Sequence, residues 1–431
     1  MDIAELYQLF KQHQVVTTDS RDCPEGSLFF ALKGDNFDGN KFAKMALDKG
    51  CAVAVIDEKQ FAVEGDNRYI VVDNVLNTLK QLANYHRRQL GTRIIGITGT
   101  NGKTTTKELV STVLSKKYNV LYTLGNFNNE IGVPKTLLRL KPEHEIAVVE
   151  MGASHPGDIR SLVNVVEPDY GIITNVGRAH LQGFGSFEGV IRTKGELYDF
   201  LRTKPNATVF IHNENEHLMN IAHDLKLVKY GTNDGLYVSG EVIECAPTLT
   251  FRWHQQGGEW HTVHSNLIGS YNIYNMLAAA TIGLYFGVSA ELIDEALGEY
   301  MPSNNRSQLT ITPSNKLIVD AYNANPTSMR AALENFRDMR VDNKMAILGD
   351  MRELGDVSHE EHQAVVDFLQ EANINNVWLV GEEFYKTDCP FRKFHNVEEV
   401  EQAIADSKPH DSYILIKGSN GIKLFKLPEL L

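Results

Sequence analysis

Residues 94–106 decide the fold, and they read Ile94-Ile95-Gly96-Ile97-Thr98-Gly99-Thr100-Asn101-Gly102-Lys103-Thr104-Thr105-Thr106. An apolar strand pattern runs into a glycine-rich turn, and the turn runs into a helical pattern that continues to Leu114. Glycines let backbone N–H groups converge on phosphate oxygens, and the N-terminus of the helix adds positive potential. Lys103 can reach β and γ phosphates, and the Thr104 hydroxyl can bind Mg²⁺. The stretch predicts a phosphate-binding loop, although Ile97 stands where the usual pattern begins with glycine and an ordinary glycine turn is the alternative.

The flanking sequence alternates strand and helix patterns. Strand patterns at 94–97, 145–149 and 171–174 are separated by helical segments, which is typical of a mainly parallel, doubly wound sheet. Residues 206–268 interrupt this alternation with β-rich sequence, and an apolar helix pattern returns at 275–285. We therefore predict a central domain over residues 91–302.

Two further α/β domains are predicted on either side. Residues 1–90 form a small N-terminal module, whose last helix ends near Gly91. Residues 303–431 repeat four strand–helix units, as expected for a Rossmann-like sheet, and the first helix begins after Asn325 as N-cap with Pro326 at its first position. Ligands of such sheets lie beyond the carboxyl ends of the strands, here including Asp320 and Lys417. The predicted fold class is therefore α/β with three domains.

Composition excludes several classes of protein. The chain has 431 residues, with 42 Lys and Arg against 55 Asp and Glu, a formal net charge of −13. This balance argues against nucleic acid as a partner and against binding to anionic membranes. The start of the chain lacks a signal-peptide pattern, and no apolar run approaches the ~20 residues that span a bilayer, so we expect a cytoplasmic protein without membrane insertion. The four cysteines show no close pair in sequence, which fits reduced thiols.

Other candidate residues are individually weaker. Glu150 follows a strand, and such an acid is more often a turn residue, but beside a phosphate loop it favours binding of a metal or of the attacking group. His180 and Lys194 would by themselves be interpreted as a histidine satisfied by its neighbours and a solvated lysine. Asparagines cluster at 125–134 and 320–326, where their amides suit sugars, amides and adenine edges or, alternatively, ordinary turns.

Taken together these motifs resemble the Mur ligases, the ATP-dependent amide-forming enzymes of peptidoglycan synthesis. The family's altered phosphate loop accounts for Ile97. Four segments carry the resemblance to the family: 98–105, Glu150-Met151-Gly152, 175–180 and Asn272-Ile273-Tyr274-Asn275. Five more are similar to the branch that adds D-alanyl-D-alanine: 26–34, Phe37-Asp38-Gly39, 320–326, 348–355 and Lys417-Gly418-Ser419.

The resemblance implies roles for residues that bind ATP and Mg²⁺. It assigns catalysis to Lys103, Glu150, His180, Lys194 and Arg306. It assigns ATP binding to Gly99, Thr100, Asn101, Gly102, Lys103, Thr104, Thr105, Asn272, Asn275, Arg306 and Asp320, with the two asparagines near adenine and Asp320 near the ribose. Thr104 would hold a first Mg²⁺, and Glu150 with His180 a second, supported by Lys194 if that lysine is carbamylated.

The resemblance also implies substrate contacts. The UDP end of a muramoyl peptide would lie at Ser20, Arg21, Phe37, Asp38 and Gly39. Asn126, Asn128 and Asn129 would bind further along the same substrate, and Asn323 and Asn325 would seat an incoming dipeptide. The sequence departs from the family pattern at Tyr271 and Asn40, where histidine is common.

The activity implied is an ATP-dependent carbon–nitrogen ligation. D-Alanyl-D-alanine would be joined to UDP-N-acetylmuramoyl-tripeptide through an acyl phosphate, by a chain expected to be a monomer. Two alternatives remain: another Mur or folylpolyglutamate-type amide ligase, or a phosphate-loop phosphotransferase or nucleotide switch. The segment Tyr322-Asn323-Ala324-Asn325-Pro326 favours the dipeptide-adding branch.

Overall fold

The computed structural model describes residues 1–302 and 308–431. The described residues form three main sheets, of four, nine and six strands, which follow one another along the chain. The strands of each sheet lie inside one of the three predicted domains, whose boundaries stay a prediction. No helix in the described ranges is long and apolar enough to cross a membrane.

The first sheet is parallel, with strand order β1-β2-β5-β6. Its elements, with the small antiparallel hairpin β3–β4, are α1 (Ile3–His13), β1 (Val16–Thr17), β2 (Leu28–Phe30), β3 (Lys33–Gly34), β4 (Phe37–Asp38), α2 (Ala43–Asp48), β5 (Val53–Ile56), β6 (Tyr69–Val71) and α3 (Val75–Leu90). Asn74 caps α3 by accepting from Asn77 N–H, and the helix ends at Gly91, whose φ of 66° is left-handed. Glycine adopts this conformation without a steric penalty, so the predicted end of the helix is confirmed.

The central sheet has the strand order β15-β14-β13-β12-β11-β10-β7-β9-β8. Its strands are β7 (Arg93–Thr98), β8 (Val120–Tyr122), β9 (Ile146–Glu150), β10 (Tyr170–Ile173), β11 (Thr208–His212), β12 (Lys226–Gly231), β13 (Val238–Cys245), β14 (Thr248–Gln255) and β15 (His261–Ile268). Its helices are α4 (Lys103–Ser115), α5 (Gly132–Leu137), α6 (Asp158–Val166), α7 (Leu181–Phe184), α8 (Phe187–Arg202), α9 (Glu216–Ile221), α10 (Ile273–Tyr285) and α11 (Ala290–Glu299).

One sequence prediction for this domain was wrong in part. Residues 206–268 do not simply interrupt the parallel sheet, because β11 and β12 pair in parallel and extend it. β13 also pairs in parallel with β12, and antiparallel pairing is confined to β13–β14 and β14–β15. The short helix α9 makes the crossover between β11 and β12, and its six residues are too few for a clear helical period.

The third sheet has the order β16-β17-β21-β18-β19-β20, and only β16 is antiparallel to its neighbour. Its elements are β16 (Gln308–Ile311), β17 (Asn315–Asp320), α12 (Pro326–Asp338), β18 (Lys344–Gly349), α13 (Ser358–Glu371), β19 (Asn376–Val380), α14 (Glu382–Tyr385), β20 (Arg392–Phe394), α15 (Val397–Asp406) and β21 (Ser412–Lys417). Asn325 caps α12 by accepting from Ser328 N–H at 2.9 Å, with Pro326 in the first turn, which confirms that prediction.

The register of the central strands positions the site. Alternate residues of β7 point to opposite faces, so Ile94 packs into one core while Ile95 and Ile97 pack into the other. Ile97 pairs with Glu150 of β9, and Thr98 pairs with Ile173 of β10. The carboxyl ends of these three strands therefore meet where α4 begins.

Candidate active site

The phosphate loop is held in shape by the segment that follows β10. Gly99 has φ +144°, and a Cβ there would lie 2.0 Å from Thr174 Oγ1, so only glycine fits. The backbone N–H of Asn101 donates to Asn175 Oδ1 at 2.9 Å, and the Thr174 hydroxyl donates to Asn101 O at 2.6 Å. Lys103 Nζ donates to Gly99 O and Thr100 O at 2.9 and 3.0 Å. The loop is thus preformed, with a lysine ammonium lying over it.

Glu150 presents a carboxylate oxygen that fits a cation. The residue is 1% exposed, and its Oε1 accepts from Thr104 Oγ1 at 3.2 Å and from Asn128 Nδ2 at 2.8 Å. Its Oε2 is buried and accepts no hydrogen bond from any residue that the structure describes. A buried carboxylate oxygen without a donor is costly unless a cation binds it. The side chains present therefore fit a divalent cation beside the phosphate loop.

The site holds no complete protein cage for that cation. Among residues 1–302 and 308–431, no group of three or more His, Cys, Asp or Glu side chains is arranged to hold a metal ion. Mg²⁺ is commonly bound by one or two carboxylates together with waters and substrate phosphates. Glu150 and the Thr104 hydroxyl suit that mode of binding.

Lys194 on α8 is buried, although sequence alone suggested a solvated lysine. It is 2% exposed, its Nζ lies 3.5 Å from Ala153 O, and the ammonium lies over the Phe184 ring. Burial, and after it the positive charge of Lys103, holds the pKa of Lys194 well below its usual range. A lysine whose neutral form is favoured carries a nucleophilic amine. This is the form that can react with CO₂ to give a carbamate.

His180 stands at the start of α7 with a left-handed φ of 49°. Its Nδ1 contacts the carboxylate of Glu353 in the third domain. Burial lowers the pKa of His180, and the Glu353 charge opposes this shift only in part. The neutral imidazole is the form that binds metals.

A cavity of about 850 Å³ lies between the central and third domains. Its size is within the range of small-molecule sites. The predicted site residues that line it are Thr100, Asn101, Gly102, Lys103, Thr105, Asn126, Asn128, Asn129, Glu150, His180, Asn272, Asn275, Asp320 and Asn323. The structure thus brings together most of the predicted ATP and dipeptide residues.

Hydrogen bonds from the third domain reach the phosphate loop itself. Asn325 Nδ2 donates to Asn101 Oδ1 at 2.8 Å, and Arg178 N–H donates to Thr327 Oγ1 at 3.0 Å. On the same side of the cavity, Lys417 Nζ lies 2.6 Å from Asp320 Oδ2, and Lys417 is 1% exposed. The third domain is therefore closed over the loop in this structure.

Asn272 and Asn275, the two asparagines predicted to contact adenine, hydrogen-bond to each other and to neighbouring residues. Asn275 Nδ2 donates to Asn272 Oδ1 at 2.7 Å, and Asn272 Nδ2 donates to Ile268 O at 2.7 Å. Thr106 Oγ1 donates to Asn275 Oδ1 at 3.0 Å. The two asparagines hold the turn before α10 against α4. If they contact adenine, their amide groups have to share these hydrogen bonds with the base or exchange them for bonds to it.

Several predicted residues do not line the cavity. Gly99, Thr104 and Lys194 lie beneath its surface, and Asn325 lies behind Asn101. The first-domain set, Ser20, Arg21, Phe37, Asp38 and Gly39, is not part of the lining of this cavity. In this set Arg21 pairs with Asp19, Phe37 stacks on Phe42, and Asp38 accepts from Asn40 N–H. Arg306 lies outside the described residues.

Sequence reasoning gave no role to four residues that the structure places in the site. Asn175 shapes the phosphate loop, Thr327 bonds across the domain interface, Lys417 neutralises Asp320, and Glu353 contacts His180. Each except Thr327 stands in a segment that carried the family resemblance. Their contacts are long-range, so no local pattern reveals them.

Models of one family match all three parts of the chain. They are described as "Mur ligase family, catalytic domain" over residues 13–87, "Mur ligase middle domain" over 97–283 and "Mur ligase, glutamate ligase domain" over 305–420. A curated relative from Bacillus subtilis, UDP-N-acetylmuramoyl-tripeptide--D-alanyl-D-alanine ligase, is 34% identical over 423 residues, which cover 95% of this chain and 91% of the relative.

Two solved structures resemble the whole fold. A crystal structure of MurF from Acinetobacter baumannii is 30% identical, with a TM-score of 0.87 and coverage of 98% of both chains. A crystal structure of MurF ligase from Thermotoga maritima in complex with ADP is 25% identical, with a TM-score of 0.86 and coverage of 97% of both chains.

Proposed function

Because the chain belongs to the Mur ligase family, we propose that it joins D-alanyl-D-alanine to UDP-N-acetylmuramoyl-tripeptide at the expense of ATP. It is a peptidoglycan-precursor ligase of the D-alanyl-D-alanine-adding type. One observation carries the chemistry: Glu150 Oε2, which has no hydrogen-bond partner among the described residues, lies beside a preformed phosphate loop, in a cavity that the third domain closes.

The first step activates a carboxylate, which is a poor electrophile. A carboxylate oxygen of the tripeptide attacks the γ-phosphorus of ATP, the bond from phosphorus to the β–γ bridging oxygen breaks, and an acyl phosphate and ADP result. Lys103 lies over the loop and neutralises charge on the transferred phosphoryl group. A first Mg²⁺, held by Thr104, would supply further neutralisation of phosphate charge.

The second step forms the amide. The free amine of D-alanyl-D-alanine attacks the acyl carbon, and phosphate leaves with the former carboxylate oxygen. Asn323 lines the cavity at the carboxyl end of β17, where it can seat the dipeptide. The bond between Asn325 and Asn101 holds the third domain over the phosphate loop, which keeps water from the acyl phosphate.

The other roles follow the position of each residue. Asp320 and the Asn272–Asn275 pair line the cavity and would contact the ribose and adenine of ATP. Asn126, Asn128 and Asn129 line the cavity and would bind the muramoyl peptide, whose UDP end would reach the predicted first-domain residues. Arg306 would contribute a further positive charge at the phosphates.

Lys194 would act as a carbamate. The neutral amine adds to CO₂ and loses a proton, so a buried neutral group becomes an anion. This anion would lie close to His180 and Lys103. In addition to burial, the charge of Lys194 lowers the pKa of His180, and the charge of Lys103 lowers the pKa of Lys194. It would then support the second metal together with Glu150 and His180.

The proposed location is the cytoplasm, and the proposed state is a monomer. ATP and UDP-linked precursors are soluble and anionic, and the local positive charge of Lys103 has to overcome the net charge of −13.

The test combines the purified chain with ATP, Mg²⁺, UDP-N-acetylmuramoyl-tripeptide and D-alanyl-D-alanine. We expect ADP, phosphate and a new amide, and formation of each should depend on both UDP-N-acetylmuramoyl-tripeptide and D-alanyl-D-alanine. Amide formation with glutamate or diaminopimelate in place of the dipeptide would indicate another ligase of this family. Release of phosphate without either acceptor would indicate a nucleotide switch, and both results would refute the proposal.

A further inference from the structure

We propose that Glu353 of the third domain orients the His180 ring for the second metal, so that this site is complete only when the third domain closes. The inference rests on the proposed function, because the metal at Glu150 and His180 belongs to it. Glu353 is a positioning residue in this account, since it acts through His180.

The contact itself selects one form of the histidine ring. The Glu353 carboxylate contacts His180 Nδ1 across the domain interface. An ionised carboxylate only accepts hydrogen bonds, so the proton of the neutral ring lies on Nδ1. The lone pair then lies on Nε2, the remaining ligand atom of a residue that lines the cavity. Carboxylates that bind the second nitrogen of a metal-binding histidine commonly set its tautomer and orientation in this way.

The backbone of Glu353 is prepared for this contact. Its φ of 62° is left-handed, a conformation that side chains other than Asn and Asp adopt rarely. The segment is fixed within the third domain, because Met351 N–H donates to His362 Nε2 at 3.0 Å and Arg352 N–H donates to Ser419 Oγ at 3.1 Å. The unusual backbone is therefore supported by the domain that carries it.

Glu353 also binds the turn that carries His180 through its main chain. The backbone N–H of Gln182 donates to Glu353 O at 3.3 Å. His180 itself has a left-handed φ of 49°, so two strained residues face each other across the interface. Side chain and carbonyl together form a two-point contact, which a single surface ion pair does not provide.

A neighbouring ion pair offers a matched control. Arg178 Nη2 lies 3.2 Å from Glu361 Oε1, so this pair crosses the same interface with a carboxylate from the third domain. Arg178 is only two residues from His180, but the described contacts of this ion pair include neither His180 nor Glu150. Loss of Glu361 removes one ion pair from the interface and leaves the contact between Glu353 and His180 in place.

The experiment measures binding of Mn²⁺ by electron paramagnetic resonance in the full-length chain, with a non-hydrolysable ATP analogue present. Mn²⁺ is a suitable probe because it takes the carboxylate, carbonyl and water ligands of Mg²⁺ sites. We compare the wild type with Glu353→Ala, Glu353→Gln and Glu361→Ala. Domain closure is followed in the same samples by small-angle X-ray scattering, and thermal unfolding checks that each variant is folded.

We expect Glu353→Ala to lower the affinity for the second Mn²⁺ by about 10- to 100-fold, the usual effect of removing a residue that orients a metal-binding histidine. Glu353→Gln keeps a carbonyl acceptor and should lose less than tenfold. Glu361→Ala keeps the contact between Glu353 and His180, so it should remain closed in scattering and bind Mn²⁺ like the wild type. The inference is overturned if Glu353→Ala binds two Mn²⁺ normally, if Glu361→Ala weakens binding equally, or if the wild type binds one Mn²⁺ only.

The two proposals fail in different ways. Phosphate release by the wild type with both acceptors is measured on the same preparation. Failure of the proposed function appears as absent ligation, whereas failure of this inference appears as unchanged Mn²⁺ affinity in an enzyme that ligates.

Discussion

Replacement of Gly99 by alanine should destabilise the phosphate loop more than the same replacement at any other loop glycine of the site. A Cβ at this position would lie 2.0 Å from Thr174 Oγ1 and 3.0 Å from Thr174 N, at φ +144°. The unusual backbone costs about 1–3 kcal/mol for a residue with a Cβ, and the overlap adds about 1–3 kcal/mol. We therefore expect Gly99→Ala to lower the free energy of unfolding of the central domain by roughly 2–6 kcal/mol.

Gly125→Ala is the matched control. Gly125 is also left-handed, with φ +51°, but beyond its chain neighbours no described atom lies within 4 Å of a Cβ built there. Only the conformational cost of about 1 kcal/mol remains. Both variants are measured by urea unfolding, with tryptophan fluorescence and circular dichroism followed together, because a chain of three domains need not unfold in one step.

A double-mutant cycle then isolates the overlap. Thr174→Ala removes the Oγ1 atom that the new methyl group would meet, although it also removes the hydrogen bond to Asn101 O. Gly99→Ala should therefore cost at least about 1 kcal/mol less in the Thr174→Ala background than in the wild type. Equal costs in both backgrounds, or equal costs for Gly99→Ala and Gly125→Ala, would refute this reasoning.

Three further predictions concern the buried charges of the site. Lys194→Ala should lose most of its ligase activity and regain part of it with formate or acetate, measured as the amide formed per minute; Lys194→Met should show no such rescue, because its side chain fills the space. The pKa of Lys194 is lowered in the folded chain, so the unfolded chain binds more protons and stability rises with pH up to the unfolded value of ~10.4. In CO₂-free buffer the wild type should therefore gain stability relative to Lys194→Met as the pH rises toward that value, by at most about 1.4 kcal/mol per pH unit. Parallel stability curves of the two proteins in urea unfolding would contradict the burial argument. Asp320→Asn leaves the buried Lys417 ammonium without its carboxylate and should destabilise the third domain by about 3–5 kcal/mol. Lys417→Met leaves Asp320, whose side chain is better solvated, and should therefore cost less stability in the same urea-unfolding assay. A larger loss for Lys417→Met than for Asp320→Asn would show that desolvation of Lys417 does not dominate the energetics of the pair.

Local sequence patterns predicted the elements that meet at the phosphate loop. The strand before Gly99, helix α4 and the cap at Asn325 were all found where turn chemistry and periodicity placed them. Each of these signals acts over a few residues and depends on steric or capping rules that hold in any fold. The parallel pairing of β11 and β12 was missed, because strand direction depends on a crossover that short segments do not encode.

The site itself required the structure for a different reason. Lys194 has an ordinary helical environment in sequence, and only tertiary packing makes it 2% exposed. Glu353 and His180 are far apart in the chain, so their contact depends on how the third domain sits over the central one. The resemblance to the Mur ligases named His180 and Lys194 as site residues, but the electrostatic and cross-domain interactions that prepare them are visible only in three dimensions.

Transfer of ¹⁸O from the substrate carboxylate to phosphate tests the central claim most directly. UDP-N-acetylmuramoyl-tripeptide labelled at its terminal carboxylate is turned over with ATP, Mg²⁺ and D-alanyl-D-alanine, and the released phosphate is analysed by mass spectrometry. Activation through an acyl phosphate predicts one carboxylate-derived oxygen in each phosphate and an amide product that appears with ADP in equal amounts. Phosphate that carries no label while amide is formed would contradict the account, because the carboxylate would then never have been bonded to the γ-phosphorus.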